Sequence, residues 1–201
     1  MHLLDILKKI KPGFYLVFII LLVGFSRYLP IDHPSLFNFS PVLAIFLFCG
    51  AYIKGSFSWL APVIAIFLSD LFLNPSYGKN FLEPYMLTTI SCYVLVWILG
   101  YKIGNRSKLT NWLGGAILSA VLFHLITCTF SWILNPAYAK TTSGLLQSII
   151  IGEPGFAPSY LFLRNSILST IFFSVCFRWF HLWLTQFSLS QTAIVAPKPQ
   201  V

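Results

Sequence analysis

Residues 158–180 read PSYLFLRNSILSTIFFSVCFRWF, an apolar run broken by only two charges, Arg164 and Arg178. As a helix rising about 1.5 Å per residue, the run reaches roughly 34 Å, enough for the roughly 30 Å hydrocarbon core of a bilayer. Residues 57–73, FSWLAPVIAIFLSDLFL, repeat the pattern with one charge, Asp70. An ionised side chain inside a lipid-spanning helix is expensive unless it faces protein, water or an opposite charge. Asp70 and Arg164 are therefore the first functional pointers in the chain.

The rest of the composition agrees. The chain has 201 residues, 57% hydrophobic and 9% charged, against about 25% charged in soluble domains. It reads as an integral membrane protein with one transmembrane domain over 1–185. Residues 186–201 lack periodicity and read as a disordered cytoplasmic tail. The net charge of +8 does not indicate nucleic acid, because the basic residues are scattered between apolar runs and form no patch. Cys49, Cys92, Cys128 and Cys176 fall in different runs without C-x-x-C spacing, the pattern of buried free thiols rather than of a metal site. Lys8, Lys9 and Lys11 precede an apolar run with no small-residue cleavage site, so the first span is expected to be retained.

Six helical spans are expected, over 14–29, 41–53, 57–73, 85–101, 112–134 and 158–180, giving an all-α membrane bundle, since lipid offers backbone groups no other partner. The second is short, at roughly 20 Å. With the N-terminus inside, nine basic residues lie inward, and Arg27, Lys79, Lys140 and Arg164 lie on the outer side or in the outer half. This distribution follows the positive-inside rule and predicts a multi-pass inner-membrane protein with both termini cytoplasmic. The outward segments 30–40 and 135–156 are long, and 144–151 within the second is either a short re-entrant or interfacial piece or an amphipathic loop.

Candidate site residues cluster in the outer half. Ser40 before Pro41 is a helix start whose free amides suit an anion, with Asn38 beside it. Arg27 near the end of the first span, Asp70 in the third, and Arg164 with Asn165 in the sixth come from distant parts of the chain and would line one polar chamber open to the outside. Arg27 could instead snorkel to head groups, and Asp70 and Arg164 could form an ion pair locking two helices. His124 reads as a hydrogen-bonded core histidine. Phe37, Phe39, Tyr138, Phe156 and Tyr160 lie beside the expected mouth. There is no G-x-S-x-G, H-E-x-x-H or P-loop, so no enzyme, metal or cofactor is expected.

The series Arg27-Tyr28-Leu29-Pro30, Asn38-Phe39-Ser40-Pro41-Val42, Ala44 to Tyr52, Pro62 and Ser69-Asp70-Leu71 resembles a bacterial family of small, uncharacterised membrane proteins of transport type, with R-x-L-P, N-F-[ST]-P-V and S-D-L motifs. The likeness is strongest over 27–73 and weaker over 132–177, where Pro136, Tyr138, Gly144-Leu145 and Gly155-Phe156 recur in order. That family is in turn similar to the substrate-binding S components of energy-coupling-factor vitamin transporters. The resemblance implies six helices, a nutrient site in the outer half, no ATPase of its own, and docking on a transmembrane coupling protein driven by cytoplasmic ATPases. The first span departs from S components in offering Gly24 and Ser26 rather than A-x-x-x-A, which argues against the shared coupling protein.

The expectation is therefore a substrate-binding subunit for uptake of a small, vitamin-like or anionic/amphiphilic nutrient, with Arg27, Asn38, Ser40, Asp70, Arg164 and Asn165 as its contacts. The alternative is a non-transporting structural or assembly protein held by an Asp70–Arg164 pair.

Overall fold

The computed structural model describes residues 21–27, 30, 33–53, 55, 58–76 and 84–195. Every regular element among them is helical. Residues 21–27 are helical, and a 3-10 turn covers Pro34–Leu36. Six α-helices follow: α1 (Val42–Tyr52), α2 (Leu60–Ser76), α3 (Pro84–Ile103), α4 (Leu109–Leu134), α5 (Thr142–Ile150) and α6 (Ser159–Val195). Three stretches are long and apolar enough to cross a membrane: Tyr85–Ile103, Leu109–Leu134 and Ser159–Trp183. Of the expected first span, 14–20 and 28–29 lie outside the described residues, as do Lys8, Lys9, Lys11, Asp32, Lys79 and Glu83.

The short α1 is the hub. Its sequence, VLAIFLFCGAY, is apolar on every side, and a helix of that kind belongs inside a bundle rather than at its surface. It is buried from Val42 to Leu47, packs mainly on α3, and also touches α6, α4 and α2. Two glycines permit the α1–α3 approach. A Cβ on Gly50 would stand 2.1 Å from the Trp97 carbonyl oxygen, and one on Gly100 would stand 2.1 Å from that of Leu47. Each carbonyl lies three residues before the other helix's glycine, so the contact is reciprocal and the two helices run antiparallel. Tyr93 of α3 is stacked between Phe46 of α1 at 5.0 Å and Phe123 of α4 at 5.6 Å, both within 10° of parallel.

Several boundaries differ from the sequence expectation for identifiable reasons. Ser40 does not cap α1: Pro41 occupies the N-cap position, no side chain caps it, and Ile45 N donates to the Pro41 carbonyl at 2.9 Å. The helix α2 starts at Leu60, which puts Pro62 in its first turn, where the missing N–H costs nothing. The expected irregular tail is helical through 186–195, because no Gly or Pro interrupts the chain between Ser159 and Pro197; residues 196–201 lie outside the described set.

The apolar piece expected at 144–151 is the helix α5. Thr141 Oγ1 accepts from Gly144 N at 3.2 Å, a regular N-cap. At the other end Gly152, with φ +87°, donates its N–H to Gln147 O at 2.7 Å, closing the helix with the left-handed residue that glycine supplies without strain.

Candidate functional site

The charges in the apolar helices are paired differently from the expectation. Arg27 Nη1 lies 2.6 Å from Asp70 Oδ1, with the two side chains 27% and 10% exposed. The Asp70–Arg164 pair is thus corrected: the partner of Asp70 is Arg27. The reason is helical geometry. Arg164 and Asn165 are neighbours about 100° apart on α6, and the buried arc of that helix takes in Asn165 and Ser166 but stops short of Arg164. Asn165 does, at 4% exposure, whereas Arg164 is exposed.

Arg164 shares its face with Leu168, Phe172, Val175 and Trp179, all exposed. Ser166, Ser169, Thr170 and Ser174 share the buried face with Asn165. This i, i+3/i+4 separation of large apolar from small polar residues was readable in the sequence and assigns Arg164 to the outside. Arg164 Nε and Nη2 both donate to Asn165 Oδ1, at 3.2 and 3.1 Å.

Asn165 is occupied by its own chain. Its Nδ2 donates to the carbonyls of Ser35 at 2.7 Å and Phe37 at 2.9 Å, which uses both amide hydrogens. Ser169 Oγ reaches the Asn38 carbonyl at 3.5 Å. Phe37 packs edge-on against Phe162, and Phe39 packs at a tilt against Phe173. The 33–40 loop is therefore fastened along α6. Asn38 itself is exposed, with a left-handed φ of 63°, a conformation asparagine tolerates better than most residues. Ser40 is half-buried at the entrance to α1.

Around Asp70, α2 and α3 leave a narrow cleft lined by Val63, Ile66, Phe67, Asp70, Met86, Thr89, Ile90 and Tyr93, with room for about one water molecule. Asp70, one of the lining residues, is the one that pairs with Arg27. Two polar groups of the lining, Thr89 and Tyr93, lie on the same α3 face four residues apart. The cleft therefore offers an apolar wall, a carboxylate already neutralised by an arginine, and little open volume in this conformation.

The 135–158 segment forms a second ordered cluster at the same end. His124 Nε2 lies 2.8 Å from the Ile149 carbonyl. A carbonyl can only accept, so this nitrogen carries the hydrogen, and the hydrogen-bonded core histidine of the sequence reading is what stands there. Asn135 Nδ2 donates to Glu153 Oε2 at 2.8 Å. Trp132 Nε1 donates to Ala139 O at 2.8 Å, and Lys140 Nζ to the carbonyls of Trp132 and Asn135. Tyr138 is buried; desolvation first, then the Glu153 charge, pushes its hydroxyl above the usual tyrosine range. Phe156 and Tyr160 are exposed. Among the described residues no three His, Cys, Asp or Glu side chains cluster as metal ligands would.

Of the six residues read from sequence, the structure thus joins Arg27 to Asp70, and Arg164 to Asn165. Asn38 is joined to α6 only through its main chain. Tyr93 and Thr89, in the cleft lining, are additions; nothing in their spacing distinguishes them from other α3 residues. No curated protein and no solved structure matches the chain. Its sequence matches the profile of one family over residues 8–192, nearly the whole length. The chain belongs to that family, which is described as a family of unknown function, DUF6580.

Proposed function

We propose that the protein is a membrane-embedded capture subunit for uptake of a small nutrient, with the Arg27–Asp70 pair at the heart of its site. In this reading residues 14–29, α1 and α2 complete six crossings with the three long helices, both termini are cytoplasmic, and the membrane is a bacterial inner membrane. One observation carries the reading: two opposite charges from separate apolar segments meet beside a cleft, where a ligand can compete for either of them. A ligand carboxylate or phosphate would take Arg27, and a ligand donor would take Asp70. The narrowness of the cleft means that α2 must shift for the ligand to enter. Arg164 lies off this site and anchors the outer end of α6 at the head groups. Asn165 acts by holding the 33–40 loop. Energy would come from a coupling protein with cytoplasmic ATPases, or from a dedicated partner.

Purification in mild detergent followed by native mass spectrometry tests this directly. A co-purifying small molecule should raise the thermal midpoint of the wild type and be absent from Arg27→Gln and Asp70→Asn preparations. Equal retention in both variants would remove the pair from the site.

The occupation of Asn165 and His124 by partners in the chain favours a second reading, a structural or assembly protein in which the Arg27–Asp70 pair locks two helices. Under that reading the pair couples in stability, and no small molecule changes the melting of the wild type.

A further inference from the structure

The opposite end of the bundle holds an arrangement that the uptake reading does not use. Trp112, fully buried on α4, donates its indole N–H to the Ser174 carbonyl at 3.0 Å. The guanidinium of Arg178 lies 5.8 Å from the Trp112 ring centroid, and Arg178 Nη2 donates to the Ser107 carbonyl at 2.7 Å. Tyr52 meets the same indole edge-on at 5.5 Å. Among these residues, four buried side-chain atoms have no hydrogen-bond partner: Tyr52 Oη, Ser107 Oγ, Ser174 Oγ and Arg178 Nη1. Ser174 is completely buried.

A buried polar group left unpaired costs about 1–3 kcal/mol, so four in the residues of one cluster call for polar partners that the described chain does not supply. All four can donate, although the three hydroxyls can also accept. Nη1 brings two N–H groups, and each hydroxyl brings one O–H. No acceptor of matching charge stands opposite them: the described acids, Asp70 and Glu153, lie toward the other end. The surroundings are positive as well. Lys102, Arg106 and Lys108 are exposed on the adjoining turn. Lys108 is the N-cap residue of α4 without a side-chain bond, so the first amides of that helix add partial positive charge. Trp179, exposed beside Arg178, is of the residue type that sits at head-group level.

We infer that this cluster is a second ligand site, for a phosphate group, with Arg178 as its principal contact and Tyr52, Ser174 and Ser107 as supporting hydroxyls. The planar guanidinium fork matches phosphate oxygens in pairs, and the exposed lysines and Arg106 draw the anion toward it. The phosphate belongs either to a lipid head group or to a free ion. The site is independent of the uptake reading and stands if that reading fails.

The test uses the full chain, purified and delipidated in uncharged maltoside. Thermal unfolding is followed against inorganic phosphate, against sodium chloride at matched ionic strength, and against micelles doped with phosphatidylglycerol. The expected result is a saturable rise in Tm with phosphate, with phosphatidylglycerol, or with both, and none with chloride. A response to phosphate assigns a free anion; a response to the lipid alone assigns a head group. Arg178→Gln should abolish saturation. Tyr52→Phe, which keeps the ring contact and loses one O–H, should raise the apparent Kd about tenfold. Lys140→Gln, at the other end of the bundle, should leave saturation in place. If Arg178→Gln does not fold, Tyr52→Phe decides. No response beyond chloride means that water alone completes the cluster, and the inference is overturned; so too is it if both Arg178→Gln and Tyr52→Phe respond as the wild type does.

Discussion

Replacing Gly50 or Gly100 by alanine tests the packing of the hub directly. A new Cβ at either position would stand 2.1 Å from a carbonyl oxygen of the opposing helix, whereas ordinary contact begins at 3.4 Å, so α1 and α3 must part by about 1.3 Å. The obstructing atom is backbone, and no rotamer change relieves it. A gap of 0.5–1 Å already forfeits roughly a quarter to a half of each dispersion contact, and the Phe46–Tyr93 stack lies on the same seam. Overpacking of this kind sits near the top of the ~1–3 kcal/mol range. Alanine's better helix propensity returns about 1 kcal/mol, leaving a net loss of about 2 kcal/mol for each variant. Because one substitution has already parted the helices, the second should cost less, and the double variant should fall short of the sum by about 1 kcal/mol. Gly114 is the control: on α4, nothing stands within 4 Å of its added Cβ, so Gly114→Ala should be neutral or stabilising by up to about 1 kcal/mol. The assay is reversible unfolding in mixed micelles followed by near-UV circular dichroism. Gly50→Ala and Gly100→Ala variants within about 0.5 kcal/mol of wild type, or a Gly114→Ala as costly as either, would refute the seam.

Other expectations follow from single contacts. In a double-mutant cycle on Arg27→Gln and Asp70→Asn, the pair should couple by about 1–2 kcal/mol, below a fully buried pair because Arg27 is 27% exposed; additive losses would deny the pairing. Asn165→Ala should leave two loop carbonyls without their donor, cost about 1–3 kcal/mol, and speed hydrogen exchange across 33–40 while sparing α4; a uniform change across the chain would contradict a local clamp. Arg164→Ala, on an exposed face, should alter stability by less than about 0.5 kcal/mol, and a larger loss would place that side chain inside the bundle. His124→Phe removes the donor to Ile149 and should increase proteolysis within 135–158 under native conditions; an unchanged digestion pattern would show that α5 is held by other contacts.

What could be read from sequence here follows a physical division. Long apolar runs bounded by polar turns announce helices whatever their neighbours, so 85–101, 112–134 and 158–180 fall close to the apolar stretches Tyr85–Ile103, Leu109–Leu134 and Ser159–Trp183, although α6 itself continues to Val195. The short 41–53 run was recognisable too, and its uniform apolar surface is explained once it is seen at the centre. Partner choice was the harder problem. Asp70 has two arginines at similar depth, and nothing in the linear chain says which helix adjoins α2. The register of α6 was available, since Arg164 keeps step with Leu168, Phe172 and Val175 while Asn165 keeps step with Ser166 and Ser169, and this separates lipid from interior. The cluster around Trp112 had no such signal: Tyr52, Ser107, Trp112, Ser174 and Arg178 come from three helices and a turn, and only packing unites them.

The pile of rings formed by Phe46, Tyr93 and Phe123 has a mechanical consequence. Each ring belongs to a different helix, so none of α1, α3 and α4 can roll about its own axis without prising flat faces apart. These three behave as a chassis. Any working stroke of the molecule must then be carried by the parts bolted to its rim: α2 with Asp70, the 21–27 segment with Arg27, and the loops strapped to α6. Spin labels on α1 and α4 should keep a constant separation under every condition, while a label on α2 moves against both.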